Sequence, residues 1–246
     1  MPQQKFTPLD KIRSAIQLAG FHYVACLKAI PTNADHRLKI EKMEFVFEAI
    51  SRTDSRTLRG EFQRWAGTVV LRDVVESFST FLTEIYQSVA EANPAGSLSV
   101  KPSQFERKGI EDQLAVLASD FDIDPAWIMR LVGYNRARNC LAHRQGLVGS
   151  RDVTEGKELV VRWLASKVET TDGEATPYIE ATGPMSSLIR GVHVHGKAAL
   201  LEIYDKEKRI EEGSVLNFLP GDILEILQTF HTAAAAFDGL TSQRVS

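Results

Sequence analysis

Apolar residues recur at three- and four-residue steps through most of the first 150 positions and gather into short β-branched and aromatic runs after that. The pattern predicts a helical part followed by strands. Over residues 8–30, Leu9, Ile12, Ile16, Leu18, Ala19, Val24 and Leu27 share a helical spacing, with Gly20 as its weak point and Pro31 as its stop. Leu38, Ile40, Met43, Phe45, Val46, Phe47 and Ile50 predict a second helix over 34–50, and the polar run 51–60 predicts a loop or frayed end. The next segment has the strongest period. Phe62, Trp65, Val69, Leu71, Val74, Val75, Phe78, Phe81, Leu82, Ile85, Tyr86 and Val89 predict one long core helix, ended by Asn93-Pro94-Ala95-Gly96. Glu76 falls off the main stripe, on the flank of Trp65, Val69 and Arg72, and reads as a surface partner of Arg72 four residues away.

A turn-rich connection over 96–102 leads to a helix over 105–121 with Ile110, Leu114, Leu117 and Ala118 inward. Asp124-Pro125 then opens the next helix: Asp suits the cap, and Pro at the first helical position lacks only an N–H that would be unpaired anyway. Gly146 and Gly149 supply its stop. Beyond Arg151 the runs 159–168, 178–181 and 199–204, separated by Thr171-Asp172-Gly173, Gly183-Pro184 and Asp205-Lys206-Glu207-Lys208, predict a small antiparallel sheet. Leu219-Pro220-Gly221-Asp222 begins a last helix, with Asp222 and Glu225 at capping-box spacing, Ile223, Ile226, Leu227, Phe230, Ala234 and Phe237 on one side, and an end near Gly239. The fold class is therefore α+β, mainly α. A helical bundle spans 1–152, and a small β-rich region with a C-terminal helix spans 153–246, packed on the bundle.

With 246 residues, 43% of them hydrophobic, the chain can bury a full core. No apolar run approaches the ~18 to 20 residues of a membrane span, and the N-terminal residues have no signal-like apolar stretch, so a cytoplasmic protein with no membrane partner is expected. Cys26 and Cys140 are too few for a disulfide framework and lack zinc-site spacing; both read as reduced and buried. A net charge of -3 argues against general electrostatic coating of nucleic acid. Between Pro125 and Arg151, however, stand Arg130, Arg136, Arg138, Arg144 and Arg151 with no acidic residue, which allows one local cationic site.

At about 100° per residue, Trp127, Leu131, Tyr134, Leu141 and Ala142 occupy one arc of this helix, with Arg138 in its middle. A guanidinium buried there needs a carboxylate, a partner chain or an anionic ligand. Asn139 and His143 are four apart and share a neighbouring face with Arg136. The stretch Arg138-Asn139-Cys140-Leu141-Ala142-His143 resembles the Arg-polar-x3-His motif of HEPN domains, all-α modules found as RNA-cleaving toxins and defence nucleases. The resemblance covers residues 8–150, including the long helix and the placing of the motif helix.

The resemblance implies a metal-independent endoribonuclease without cofactor, in a toxin–antitoxin or phage-defence setting with an antitoxin or other partner protein. It also implies a homodimer whose motif helices face each other in a composite groove. The roles it implies have a physical basis. An imidazole such as that of His143 can take the ribose 2′-hydroxyl proton, a forked and permanently charged guanidinium such as that of Arg138 can stabilise the phosphate, and Asn139 can orient either. Arg136 and Arg144 are then candidates for binding substrate. The other reading of the same residues is a dimeric, non-catalytic binding or regulatory module, with the β-rich region as its recognition surface.

The same spacing recurs at Arg190 to His195, so only context distinguishes Arg138 to His143: a capped helix, a polar residue after the Arg, and no acids nearby. His193 and His195 would project from one face of a strand, but no third zinc ligand is marked, and a solvated strand face is expected. His22 and His231 have no flanking ligand pattern. No phosphate-binding glycine loop, nucleophile elbow or dinucleotide fingerprint is present in the sequence.

Overall fold

The computed structural model describes residues 6–29, 35–40, 43–48, 52–93, 98–170, 175–181, 188–194 and 199–242. Its first helix, α1 (Pro8–Ala29), starts with a reciprocal cap. The Asp10 N–H donates to the Thr7 hydroxyl and the Thr7 N–H to the Asp10 carboxylate, each at 3.1 Å. The predicted helix over 34–50 is instead an antiparallel hairpin, β1 (Asp35–Ile40) and β2 (Met43–Glu48), in register from Asp35 opposite Glu48 to Ile40 opposite Met43. Its sequence carries the reason: Arg37-Leu38-Lys39-Ile40 and Met43-Glu44-Phe45 alternate with a period of two.

The long helix α2 (Arg52–Ala92) has 41 residues and runs through the segment predicted as a loop. The Arg and Leu residues there are good helix formers, and polarity alone does not break a helix. The helix predicted over 105–121 is two pieces, α3 (Pro102–Phe105) and α4 (Ile110–Asp120), parted before Gly109, the N-cap of α4. The chain continues through α5 (Pro125–Arg144), β3 (Glu158–Thr170), β4 (Ala175–Ala181), β5 (Leu188–Val194), β6 (Ala199–Glu211) and α6 (Pro220–Ser242). The order makes the protein mainly helical and α+β, with the β region formed by two antiparallel pairs, β3 with β6 and β4 with β5.

The core joins both parts of the chain. Phe78 of α2 lies 5.3 Å from the ring of Phe230 and 5.9 Å from that of Phe237, both on α6, and Tyr134 of α5 lies 4.8 Å from Phe230. Burying an aromatic side chain contributes roughly 2 to 3 kcal/mol, so this cluster is a main tie between α2, α5 and α6. α6 also packs closely on α1, where a Cβ on Gly20 would stand 3.4 Å from Leu227. The C-terminal helix thus completes the bundle begun by α1 and α2, and the core continues across residue 152.

Asp205 to Lys208, predicted as a separator, lies inside β6. Its charges are accommodated because they alternate. Lys206 and Lys208 reach the start of α6, where Asp222 accepts from both at 3.0 Å, while Glu207 and Arg209 pair with each other at 2.8 Å on the exposed side. Lys206 also donates to Glu225, which accepts from the Trp163 indole at 2.6 Å. Asp222 does not cap α6 in the predicted sense. Leu219 is the residue before the helix, and its N–H donates back to the Asp222 carboxylate at 3.0 Å.

Burial pushes the Asp222 carboxyl upward, but the Lys206 ammonium, the Leu219 N–H and Lys208 outweigh it and hold the group below its ordinary 3.8. A carboxylate with a depressed folded value stabilises the fold above the unfolded value and ceases to as pH falls through the folded one. Asp222→Asn is expected to lower unfolding stability by about 2 kcal/mol at neutral pH. In urea titrations at several pH values, the gap from the parent should close as pH falls below 3.8.

Candidate functional site

Helix α5 carries the motif, and its ends are fixed locally. Asp124 accepts from the Ala126 N–H at 2.8 Å at the start. At the end Gln145 and Gly146 take left-handed φ values of 52° and 87°, and the Gly146 N–H returns to the Cys140 carbonyl at 3.1 Å. A Cβ at Gly146 would lie 2.9 Å from the Leu216 carbonyl oxygen, so both the backbone and the space require glycine. In mid-helix Gly133 allows α5 to lie directly on β3, where a Cβ would stand 3.0 Å from the Val160 carbonyl oxygen.

This close approach moves the buried face away from the arc read from the sequence. The buried residues are Arg130, Leu131, Gly133, Tyr134, Ala137, Cys140 and Leu141, whereas Trp127 is half-buried and Ala142 is exposed. Small residues (Gly133, Ala137, Cys140) share this face with large apolar ones (Leu131, Tyr134, Leu141). Arg138 therefore sits at the border of the buried face, with 22% of its side chain exposed.

Its partner lies in the same chain. Arg138 donates through Nη2 to Glu76 Oε1 of α2 at 2.6 Å and through Nη1 to Asn139 Oδ1 at 2.7 Å. Glu76 is thus the partner of Arg138, and Arg72 pairs loosely with Asp73 at 3.6 Å. Asn139 orients the guanidinium; it makes no hydrogen bond to His143 among the described residues.

The other arginines follow the same rule. Arg136, a predicted substrate binder, donates to Glu111 of α4 at 2.6 Å and to the Arg151 carbonyl. Arg144, the other, makes a two-point pair with Asp152, which is 1% exposed and also accepts from the Gly149 N–H at 2.9 Å. Arg130 pairs with Asp205 of β6 and lies over the Trp127 ring. The local excess of positive charge expected over 125–151 is therefore neutralised at four of its five arginines by carboxylates from elsewhere in the fold. Glu111, Asp152 and Asp205 carry no spacing signal in the sequence, since each meets α5 only through tertiary structure.

His143 is exposed on the last turn of α5. Five residues beyond Arg138, it lies about 140° further round the helix, so one chain does not bring the imidazole and the guanidinium onto one face. Of the alternative histidine pair, His193 is on β5 opposite Thr176, while His195 lies outside the described residues. Among the described residues no group of three or more His, Cys, Asp or Glu could hold a metal ion, and no helix is long and apolar enough to cross a membrane. Cys140 is buried and Cys26, expected buried, is only partly so; burial together with nearby Asp152 pushes the Cys140 thiol up to about 11. Compared with family models, curated proteins and solved structures, the chain matches none.

The α5 pairs differ in how strongly they bind the structure. Asp152 is 1% exposed and Glu76 55% exposed, so neutralising the first removes a buried charge partner and neutralising the second a surface one. Asp152→Asn is expected to cost about 3 kcal/mol and Glu76→Gln less than about 1 kcal/mol in denaturant unfolding.

Proposed function

We propose that the chain is a metal-independent endoribonuclease of the HEPN type, with Arg138, Asn139 and His143 as its working groups. The observation that carries this reading is the Arg138 guanidinium, oriented by Asn139 and held otherwise by a carboxylate that is 55% exposed. A phosphodiester offers the same charge and the same kind of oxygen acceptors as Glu76. It can replace that carboxylate without leaving the cation unpaired, and the exchange disturbs only a surface ion pair of roughly 0 to 1 kcal/mol. In the reaction, His143 takes the 2′-hydroxyl proton, the oxygen attacks phosphorus, and Arg138 balances the charge gathering on the phosphoryl oxygens. The leaving 5′-oxygen accepts a proton from the imidazolium, giving a 2′,3′-cyclic phosphate and a 5′-hydroxyl.

The angular separation of Arg138 and His143 in one chain supports a homodimer, in which the imidazole of one copy works with the guanidinium of the other. A toxin or defence role, restrained by an antitoxin or other partner protein, fits an enzyme of this type. A specific observation favours a second reading: Arg138 already has a carboxylate partner within its own chain. That pairing suits a non-catalytic, dimeric binding module.

Purified protein incubated with single-stranded and structured RNA in chelator is expected to release fragments ending in cyclic phosphate. His143→Ala and Arg138→Ala should each lower the rate by about 100-fold or more. Equal cleavage by the variants would identify a contaminant, and absence of cleavage by the parent would favour the binding module.

A further inference from the structure

The arginines of α5 are paired, whereas among the described residues three of those in the first part of α2 are not. Arg56, Arg59 and Arg64 are exposed and have no ion pair among the described residues. Between Arg52 and Arg72 the sequence holds Arg52, Arg56, Arg59, Arg64 and Arg72 against Asp54 and Glu61, an excess of positive charge on a chain whose net charge is -3. The same part of α2 exposes large apolar side chains. Trp65, read from the sequence as a core residue, is 57% exposed, Leu58 is 55% exposed, and the Trp65 ring lies 5.5 Å from that of Phe62.

These residues are aligned. At about 100° per residue, Leu58, Phe62, Trp65, Val69, Arg72 and Glu76 fall within a quarter of the helix circumference. The stripe faces away from the core, whose contacts come from Val70, Leu71, Val74, Val75 and Phe78. Arg59 and Arg64 lie on its two flanks, about 100° and 120° from its centre, beyond the exposed Glu61 and Asp73 at about 60°. It ends at Glu76, the residue holding Arg138, and the rise from Trp65 to Glu76 is about 16 Å, a span of a few nucleotides.

We propose that this face of α2 is a track for single-stranded RNA, leading from the Phe62–Trp65 rings past Arg72 to Arg138. A base stacks on the exposed Trp65 ring beside the half-buried Phe62, phosphates meet Arg59, Arg64 and Arg72, and the strand arrives where a phosphate replaces Glu76. An exposed ring with guanidinium groups on both flanks suits the alternation of base and phosphate along one strand, and stacking contributes ~1 to 3 kcal/mol per base. A lipid surface would ask for a deeper apolar face than the four apolar side chains of this stripe provide. Binding along the track is independent of the nuclease reading; only cleavage of the bound strand rests on it.

The test uses the full chain and strands that lack a free 2′-hydroxyl, a fluorescein-labelled oligothymidylate and a 2′-O-methyl RNA, so binding is read without cleavage. Fluorescence anisotropy is expected to show single strands bound more tightly than a duplex of equal length. Trp65→Ala and the double variant Arg59→Ala/Arg64→Ala should each weaken binding about tenfold or more, and Trp65→Phe should restore most of the loss. Trp65 is exposed, and far-UV circular dichroism checks that each variant is folded. Equal affinity in Trp65→Ala, preference for duplex, or binding of anionic phospholipid vesicles in place of oligonucleotides would overturn the track. So would a Trp65→Ala change that splits a dimer and leaves oligonucleotide affinity intact. Binding without RNA cleavage would remove the nuclease reading and leave the track standing, whereas cleavage unaffected by Trp65→Ala would do the reverse.

Discussion

Five arginines on one stretch of chain repel one another and are costly to desolvate, and the fold around α5 is arranged so that four of them meet a carboxylate from a different place. Glu76 comes from α2, Glu111 from α4, Asp152 from the turn after α5, and Asp205 from β6. Each pair forms only when its element docks, so the charge pattern specifies the arrangement of neighbours around α5 as much as the apolar core does. The close contact of Gly133 with Val160 sets how near β3 can come, and the Phe78–Phe230–Tyr134 cluster packs the adjoining part of the same buried face, about 100° round the helix.

The pairs are unequal. Asp152 is buried and tied to a backbone N–H as well, so Arg144 serves the structure. Arg138 stands at the edge of the buried face with an exposed partner and an amide that fixes its orientation. This difference separates an arginine that holds the fold from one that can exchange its carboxylate for another anion. It is also the reason the proposed chemistry centres on Arg138, with the α2 surface leading toward it.

Helix α5 is legible in the sequence because its limits are set by local chemistry: Asp124 and Pro125 at one end, Gly146 at the other. The long α2 is legible from its apolar period, but its exposed stripe is not. Trp65 fits the helical count, and only the positions of α1 and α6 reveal which side is covered. The hairpin over 35–48 is mistaken for a helix because an apolar set counted over 17 positions hides a period of two within each half. The need of Arg138 for an anionic partner is visible in its place on the helix. Identifying Glu76 requires tertiary structure, since the two are 62 residues apart and Arg72 offers Glu76 a nearer partner on the same helix.

Arg138 as the exchangeable cation of α5 is most directly tested by following arginine Nε–H signals in nitrogen-15 NMR during titration with a 2′-O-methyl dinucleotide. Arg138 is expected to shift with saturation at ligand concentrations where Arg130, Arg136 and Arg144 stay in place. A Glu76→Gln substitution should move that saturation to lower concentration. Uniform shifts across the four arginines, or movement of Arg144 before Arg138, would contradict this role for Arg138.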